Sequence, residues 1–475
     1  MKKNIDTKYY GKEVTEYVDI QERTLKMFPG IPYMGEDFIG SISNGLVRPH
    51  EFSGWRNEVL SWKKTAYLGA GGVTLSPTYI FSGPDSIAFL KKYFVNNFDK
   101  FPVGSAKHAI ACREDGKIMI DGVLIRLEED LFYTCWLNPY IQYLVETCGM
   151  NVSGKDITGK VFLLQIGGPK SLEILEKVSG DNLHDIAFAH ERKSIIAGKE
   201  VFILRMGMAG SLSYEVHAKA EDYPTVYKAI WSVGEPLGME KLGGYTYVMN
   251  HTENGFPQAY QHFAYPWFED PGFVEYEKEH PGIGSRMKDF ICAGTYSRNS
   301  ADYWRDPIEL GWEKMINANH DFIGKEALLK LKSSPVRKMV TLEWDADDVG
   351  AVLAEELRGT DVEPYTTYKR NIYCARDMGF SEGSRRVYPA DAVCVNGKVV
   401  GVSSGRTHSI YYRRMISLCS IDIEYAEIGN EVTVIWGEIG GKQKAIKAKV
   451  ARFPYFNENR NEVIDVNTLP IYTGK

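Results

Sequence analysis

The segment from Arg205 to His217, RMGMAGSLSYEVH, places a carboxylate, Glu215, in an otherwise apolar strand just behind a loop almost without side chains. The apolar run Val201 to Leu204 precedes it, so the pattern reads strand, glycine-rich turn, strand. A carboxylate offers two acceptors side by side, a match for a planar pair of donors such as a guanidinium fork. On the residues alone the plain reading is therefore an ion pair with a nearby cation such as Arg205. Other chemistries lack their residues. No Walker loop, dinucleotide fingerprint or HExxH helix is present. Gly69-Ala70-Gly71-Gly72 lacks the lysine and serine of a phosphate loop, and the ten histidines show no metal-site spacing, so no catalytic metal is expected. Gly401-Val402-Ser403-Ser404-Gly405 has the letters of GxSxG but lies among hairpins rather than at a strand-to-helix elbow.

The elements that must position such residues follow from length and periodicity. A chain of 475 residues exceeds one compact core and reads as two to four domains. A net charge of −6 gives no electrostatic attraction to nucleic acid, and no apolar run is long enough to span a bilayer. No apolar segment follows the charges of Met1 to Asp6, and the seven cysteines form no CxxC pair; both point to a cytoplasmic protein with reduced thiols. Ser53 is the expected cap of a helix carrying Trp55, Val59, Trp62 and Ala66 and stopping near Gly69. The strand Thr74 to Phe81 leads through Gly83-Pro84-Asp85-Ser86 into a helix; the strand Val161 to Gly167 leads through Gly168-Pro169-Lys170-Ser171 into another. This repeat suggests two similar lobes with a cleft between them. The charged stretch Asp270 to Asp289 reads as a surface loop or lid. Beyond about residue 335 the pattern alternates, and Asn396-Gly397 marks a hairpin, so the C-terminal part reads as an all-β barrel or sandwich.

The opening segment resembles the tetrahydrofolate-binding stretch of the glycine-cleavage T-protein family, and other landmarks follow in the family's order. They include Gly83 to Ser86, Ile120-Asp121-Gly122, Gln165 to Ser171, Asp306 to Gly311, Asp321 to Leu328 and Val399 to Gly405. Within the family, Glu51-Phe52-Ser53-Gly54-Trp55-Arg56-Asn57-Glu58 and Gly207-Met208-Ala209-Gly210 are similar to the tetrahydrofolate-dependent O-demethylases. The cysteine-bearing KGCYxGQE of the iron–sulfur maintenance proteins is absent.

The resemblance implies a role for Glu215: to accept the N–H and NH₂ of a pterin edge, with the bare loop, including Met208, letting backbone approach a flat ring. It places Tyr247 near folate N5 and the departing group, Phe256 beside the pterin, Glu253 and Arg205 among the cofactor contacts, and Asp121 close to the reacting nitrogens. Asp121-Gly122 also reads as a hairpin turn. On the donor side the pattern departs from the vanillate-demethylating members. Gly69 to Thr74 replaces their FDQTHH run, their two early tyrosines fall at Ser43 and Gly45, and an arginine falls near Trp136. The aromatic stretch Tyr260 to Phe268, with Tyr265 and Trp267, is a candidate wall for an aryl ether or a cage for a methylammonium.

The fold class expected is α+β: two related α/β lobes with antiparallel sheets forming a folate cleft, plus a C-terminal all-β barrel, the three-domain cloverleaf of T-proteins. The boundaries are 1–155, 156–334 (intertwined with the first) and 335–475. The expected activity is tetrahydrofolate-dependent demethylation, moving a methyl group from a small donor, an aryl methyl ether favoured, to N5. The alternatives are an aminomethyltransferase, demethylation of a methylamine, betaine or sulfonium donor, and a non-catalytic folate-binding protein.

Overall fold

A computed structural model describes residues 39–43, 46–69, 77–280, 290–365, 381–382 and 385–473. The readings at Gly45, at 70–76 and at 281–289 fall outside the described residues. In the first lobe a five-stranded sheet runs in the order Ala106–Cys112, Ile118–Arg126, Leu131–Cys135, Thr78–Ser82, Ser153–Asp156, with every pair antiparallel. In the second, a six-stranded sheet runs Glu191–Ile196, Lys199–Leu204, Ser213–Lys219, Val161–Gly167, Ala66–Gly69, Met239–Leu242. Only its last pair is parallel. The lobes are intertwined, because Ala66–Gly69 precedes the first-lobe sheet in sequence yet pairs with Val161–Gly167 of the second.

The two strand–Gly-Pro–helix units share a geometry. Gly83 (φ 149°) and Gly168 (φ 129°) both turn through a backbone region reserved for glycine, and a β-carbon on either would collide with a facing main chain. The helices Ser86–Tyr93 and Ser171–Ser179 follow.

The C-terminal part closes into a six-stranded barrel of Arg337–Trp344, Arg385–Val395, Lys398–Ser409, Arg414–Asp422, Glu431–Trp436 and Lys444–Ala451, sealed by pairing of Val393 with Val434. Asn396 (φ 50°) and Gly397 (φ 79°) make the two-residue turn joining Val395 to Lys398. Ser403 is buried on a barrel strand, its hydroxyl 2.8 Å from that of Ser417, so it is no nucleophile.

Three local readings are corrected. The helix Trp55–Lys64 is not capped by Ser53, whose hydroxyl bonds Glu240 instead; Glu51 accepts from the Trp55 N–H at 2.9 Å. Asp121-Gly122 is no hairpin turn but lies in the middle of Ile118–Arg126, where Gly122 leaves room for the main chain of Cys135 and Trp136. The charged stretch after Asp270 begins with a helix, Pro271–Glu279, because Asp270 caps it through the N–H groups of Gly272 and Phe273. Among the described residues no helix is long and apolar enough to cross a membrane.

Candidate functional site

Strand alternation builds the site from both sides. On the second-lobe sheet Leu164, Ile166, Tyr214 and Val216 point into that lobe's core, so Gln165, Glu215 and His217 project from the opposite face. On the first-lobe sheet the face bearing His108, Asp121, Val123, Ile125 and Tyr133 is turned the same way. The two faces meet in a shared cluster in which Ala106, Ile125, Tyr133 and Cys135 pack against Leu163 and Leu204, with Trp136, Met206 and Tyr247 at its edge.

The helix Gly244–Asn254 carries the third wall. Its start is held by Glu58, whose Oε2 accepts from the Gly243 N–H at 2.8 Å and the Thr246 hydroxyl at 2.7 Å. Its other oxygen takes the Phe52 N–H at 2.6 Å. A carboxylate suits a helix N-terminus, whose free N–H groups carry partial positive charge. Burial nevertheless pushes the Glu58 carboxyl up. The helix ends at Gly255 (φ 65°), after which the Phe256 N–H bonds the His251 carbonyl at 3.0 Å.

Glu215 is buried, and among the described residues no lysine or arginine pairs with it. Gln165 Nε2 donates to its Oε1 at 3.0 Å, and His217 Nε2 lies 3.2 Å from its Oε2. Tyr67 extends the row, its hydroxyl donating to Gln165 Oε1 at 2.8 Å. Arg205 turns away: it bonds Asn461 Oδ1 at 3.2 Å and the carbonyls of Asn461 and Ile464 at 2.8 and 2.7 Å. The plain reading of an Arg205–Glu215 ion pair is thus overturned. Arg205 and Asn461 instead tie a C-terminal segment to the glycine loop, since the Asn461 N–H bonds the Gly210 carbonyl at 2.8 Å. Asn254 holds the Met208 carbonyl, bracing that loop from the helix.

Asp121 is clamped by His108 Nε2 at 2.8 Å and the Tyr265 hydroxyl at 2.6 Å. A chain of rings joins it to the helix: His108 lies 5.1 Å from Phe256, Phe256 5.9 Å from His251, and His251 5.3 Å from Tyr247. Trp312 packs on both His108 and Phe256. Tyr247 is partly buried. Desolvation, reinforced by the Glu215 charge, pushes its phenol above the ordinary range, while Gln258 favours the phenolate.

Three expected residues take other places. Glu253 is buried against Lys63 and accepts from Trp62 Nε1 at 3.1 Å. Trp267 is 1% exposed, stacked on Tyr265 in the first-lobe core with its indole N–H on the Met119 carbonyl. Tyr265 faces Asp121 rather than an open pocket. Trp136 does reach the shared cluster beside Tyr247, with φ 70°, a strained value for a bulky residue. Gln165, His217, His108, His251 and Trp312 escaped the sequence reading. His217 was within reach, because two residues beyond Glu215 on a strand is the same face.

Tetrahydrofolate can be tested against what the cleft leaves unmatched. Each Glu215 oxygen has one protein donor among the described residues and a lone pair to spare. His108 Nδ1, His217 Nδ1 and His251 Nε2 are buried without a partner among the described residues. The other nitrogen of each ring is committed, to Asp121, Glu215 and the Phe256 carbonyl respectively. The spare Glu215 lone pairs and the bare His251 Nε2 are acceptors, the complement of a reduced pterin rich in N–H groups, and the residues fit the group.

A family model described as the GCVT N-terminal domain matches residues 42–264. The chain is 42% identical over 430 residues to the sesamin methylene transferase of Sinomonas sp. (strain No.22), covering 90% of this chain and 94% of that one. It is 30% identical over 431 residues to the syringate O-demethylase of a Sphingobium species, covering 86% and 89%. Among solved structures, the glycine cleavage system aminomethyltransferase T from Bartonella henselae superposes with a TM-score of 0.62 at 16% identity, covering 89% of this chain and 95% of that one, a likeness of fold. The chain belongs to the glycine-cleavage T-protein family, and it is a tetrahydrofolate-dependent one-carbon transferase.

Proposed function

We propose that the protein moves a methyl group from an aryl ether oxygen to N5 of tetrahydrofolate. The observation that carries this reading is a protonated phenol, Tyr247, standing between the Glu215 row and the Asp121 clamp. An aryl oxide leaves carbon slowly unless its charge is met by a proton or a hydrogen bond. Burial and the Glu215 charge keep the Tyr247 proton in place, and Gln258 stabilises the phenolate once the proton has gone. Bound tetrahydrofolate supplies the nucleophilic nitrogen that accepts the carbon. Glu215 with Gln165 grips the pterin edge, Phe256 lies against it, and Asp121 is held toward the reacting nitrogens by His108 and Tyr265. Fixing both reactants in line is worth roughly 7–11 kcal/mol of the barrier in well-oriented systems. The names of the relatives at 42% and 30% identity, a methylene transferase and an O-demethylase, support an oxygen-bound one-carbon donor.

A second reading rests on the relative at 42% identity: the unit transferred is a methylene from an aryl O–CH₂–O bridge. One experiment serves both. The protein is incubated with tetrahydrofolate and a panel of methoxyaromatics, methylenedioxyaromatics, methylamines and betaines, and folate products are followed by mass. 5-Methyl-tetrahydrofolate from a methoxyaromatic is the expected result, and 5,10-methylene-tetrahydrofolate marks the second reading. Turnover confined to the amine donors, or none with any donor, overturns both.

A further inference from the structure

Two buried histidines, His251 and His262, lie in one stretch of chain, and they differ in one respect. His262 has both nitrogens engaged: Nδ1 accepts from the Gln258 N–H at 2.9 Å and Nε2 lies 3.2 Å from the Thr252 hydroxyl. His251, 2% exposed, has one engaged. Its Nδ1 lies 3.0 Å from the Phe256 carbonyl, which can only accept, so the proton sits on Nδ1 and Nε2 keeps a bare lone pair. No described residue partners that nitrogen. A buried acceptor left unmatched costs stability, and its persistence at a ligand cleft points to a partner that arrives with the ligand.

We propose that His251 Nε2 is the base that receives the proton released from folate N5 as the one-carbon unit is transferred. The inference rests on the folate reading above and adds a residue to it. The ring stands between Tyr247 on its own helix, one turn earlier, and Phe256 and Asp121, the residues placed on the folate side. The charged and titratable groups facing it are Tyr247 from the same helix, Asp121 and His108 from the first-lobe sheet by way of Phe256, and His262 from the following loop. Burial holds His251 down to about 4, so it is neutral and able to accept at neutral pH.

The protons balance. The N5–carbon bond forms while the carbon–oxygen bond breaks, and the bonding pair leaves with the aryl oxygen. That oxygen takes the Tyr247 proton, and the N5 proton goes to His251 Nε2. Passage of that proton on to the Tyr247 phenolate restores both side chains, leaving a phenol and a methylated folate.

His251→Asn is the informative variant, because its amide N–H can keep the bond to the Phe256 carbonyl while the Nε2 acceptor is lost. Tetrahydrofolate binding by calorimetry is expected to stay within about 3-fold of the parent, since the other pterin contacts remain. Single-turnover methyl transfer is expected to fall about 10²-fold or more, with partial rescue by added imidazole. A rate within about 3-fold of the parent, or a slow variant that imidazole does not accelerate, overturns the assignment. If the parent itself takes up no tetrahydrofolate, the folate reading fails instead. Should His251→Asn not fold, ¹⁵N-histidine NMR of the parent decides: His251 Nε2 must resonate as unprotonated without folate and shift when folate binds. A protonated Nε2, or one that folate leaves unmoved, overturns it.

Discussion

One helix, Gly244–Asn254, serves two regions that use buried charge in opposite ways. Tyr247 and His251, four residues apart, share the face toward the cleft, while Glu253 lies on the other side. In the cleft, Glu215 is met by the Gln165 amide and the His217 ring, with no lysine or arginine beside it among the described residues, and keeps lone pairs free. At the joint, Glu253 is neutralised by Lys63, both side chains 1% exposed. The Lys63 ammonium also lies 4.9–5.4 Å from the rings of Trp62, Tyr411, Tyr412 and Phe456. A compensated carboxylate fastens parts of the chain together; an uncompensated one waits for donors. The resemblance alone could not separate Glu215 from Glu253, because both occupy family positions and differ only in where their partners fall in space.

The largest effect that tests this division is at Tyr247. Tyr247→Phe should slow transfer from an aryl ether about 10²–10⁴-fold, leave an onium donor near the parental rate, and shift the melting temperature little. Equal rates of mutant and parent on the ether would remove Tyr247 from the chemistry. The joint should answer in the opposite currency. Lys63→Met strands a buried Glu253 charge and should cost about 3–5 kcal/mol in denaturant unfolding, with folate affinity of the folded protein within about 3-fold. A matching loss of folate affinity would merge the two regions into one.

Acid provides the next test. His251 is held down to about 4 by burial, against about 6.5 in an unfolded chain. Below pH 6.5 the unfolded state therefore binds more protons, and stability falls as the pH drops. The contribution is complete above about pH 7 and is lost toward pH 4, amounting to about 3 kcal/mol for His251. His262, also held well down by burial, adds in the same direction. His251→Asn should flatten that part of the profile, and an unchanged slope would show that His251 is already charged. Smaller again is Glu215→Gln. It removes a charge-assisted acceptor and sets an amide donor against the donors of the pterin, for a loss of about 1.5–3 kcal/mol, or roughly 10–150-fold in folate affinity by calorimetry.

These contrasts mark what the sequence could and could not convey. The lobes, the barrel and the Asn396-Gly397 turn were legible because periodicity and glycine chemistry are local. Glu215, Tyr247 and Asp121 stood out through the order of family landmarks. Gln165 lay inside a quoted landmark, yet its bond to Glu215 depends on strand register, which no spacing reveals. His251 looked like any other of ten histidines, since what distinguishes it is a nitrogen without a partner. Arg205 and Glu253 were misplaced because chain order does not say which way a side chain turns; their partners lie at Asn461 and Lys63, 256 and 190 residues away.

The smallest prediction falls where local reading and long-range structure disagree most plainly. Ser53 has the chemistry and position of a helix cap, and losing a true cap costs about 0.5–2 kcal/mol. In the structure its exposed hydroxyl bonds Glu240 at 2.6 Å and no N–H of the helix Trp55–Lys64. Glu51 takes the Trp55 N–H in its place, while Glu58 takes the N–H groups of Phe52 and Ser53 just before the helix and reaches the start of the helix Gly244–Asn254 at Gly243. Ser53→Ala should therefore change stability by less than about 0.5 kcal/mol, as at an ordinary surface site. Glu58→Gln should cost several times more, because the amide nitrogen would face an N–H or hydroxyl donor at one end of the group. Equal losses for the two variants in denaturant unfolding would restore Ser53 as the cap and take from Glu58 its role in presenting Tyr247 and His251 to the cleft.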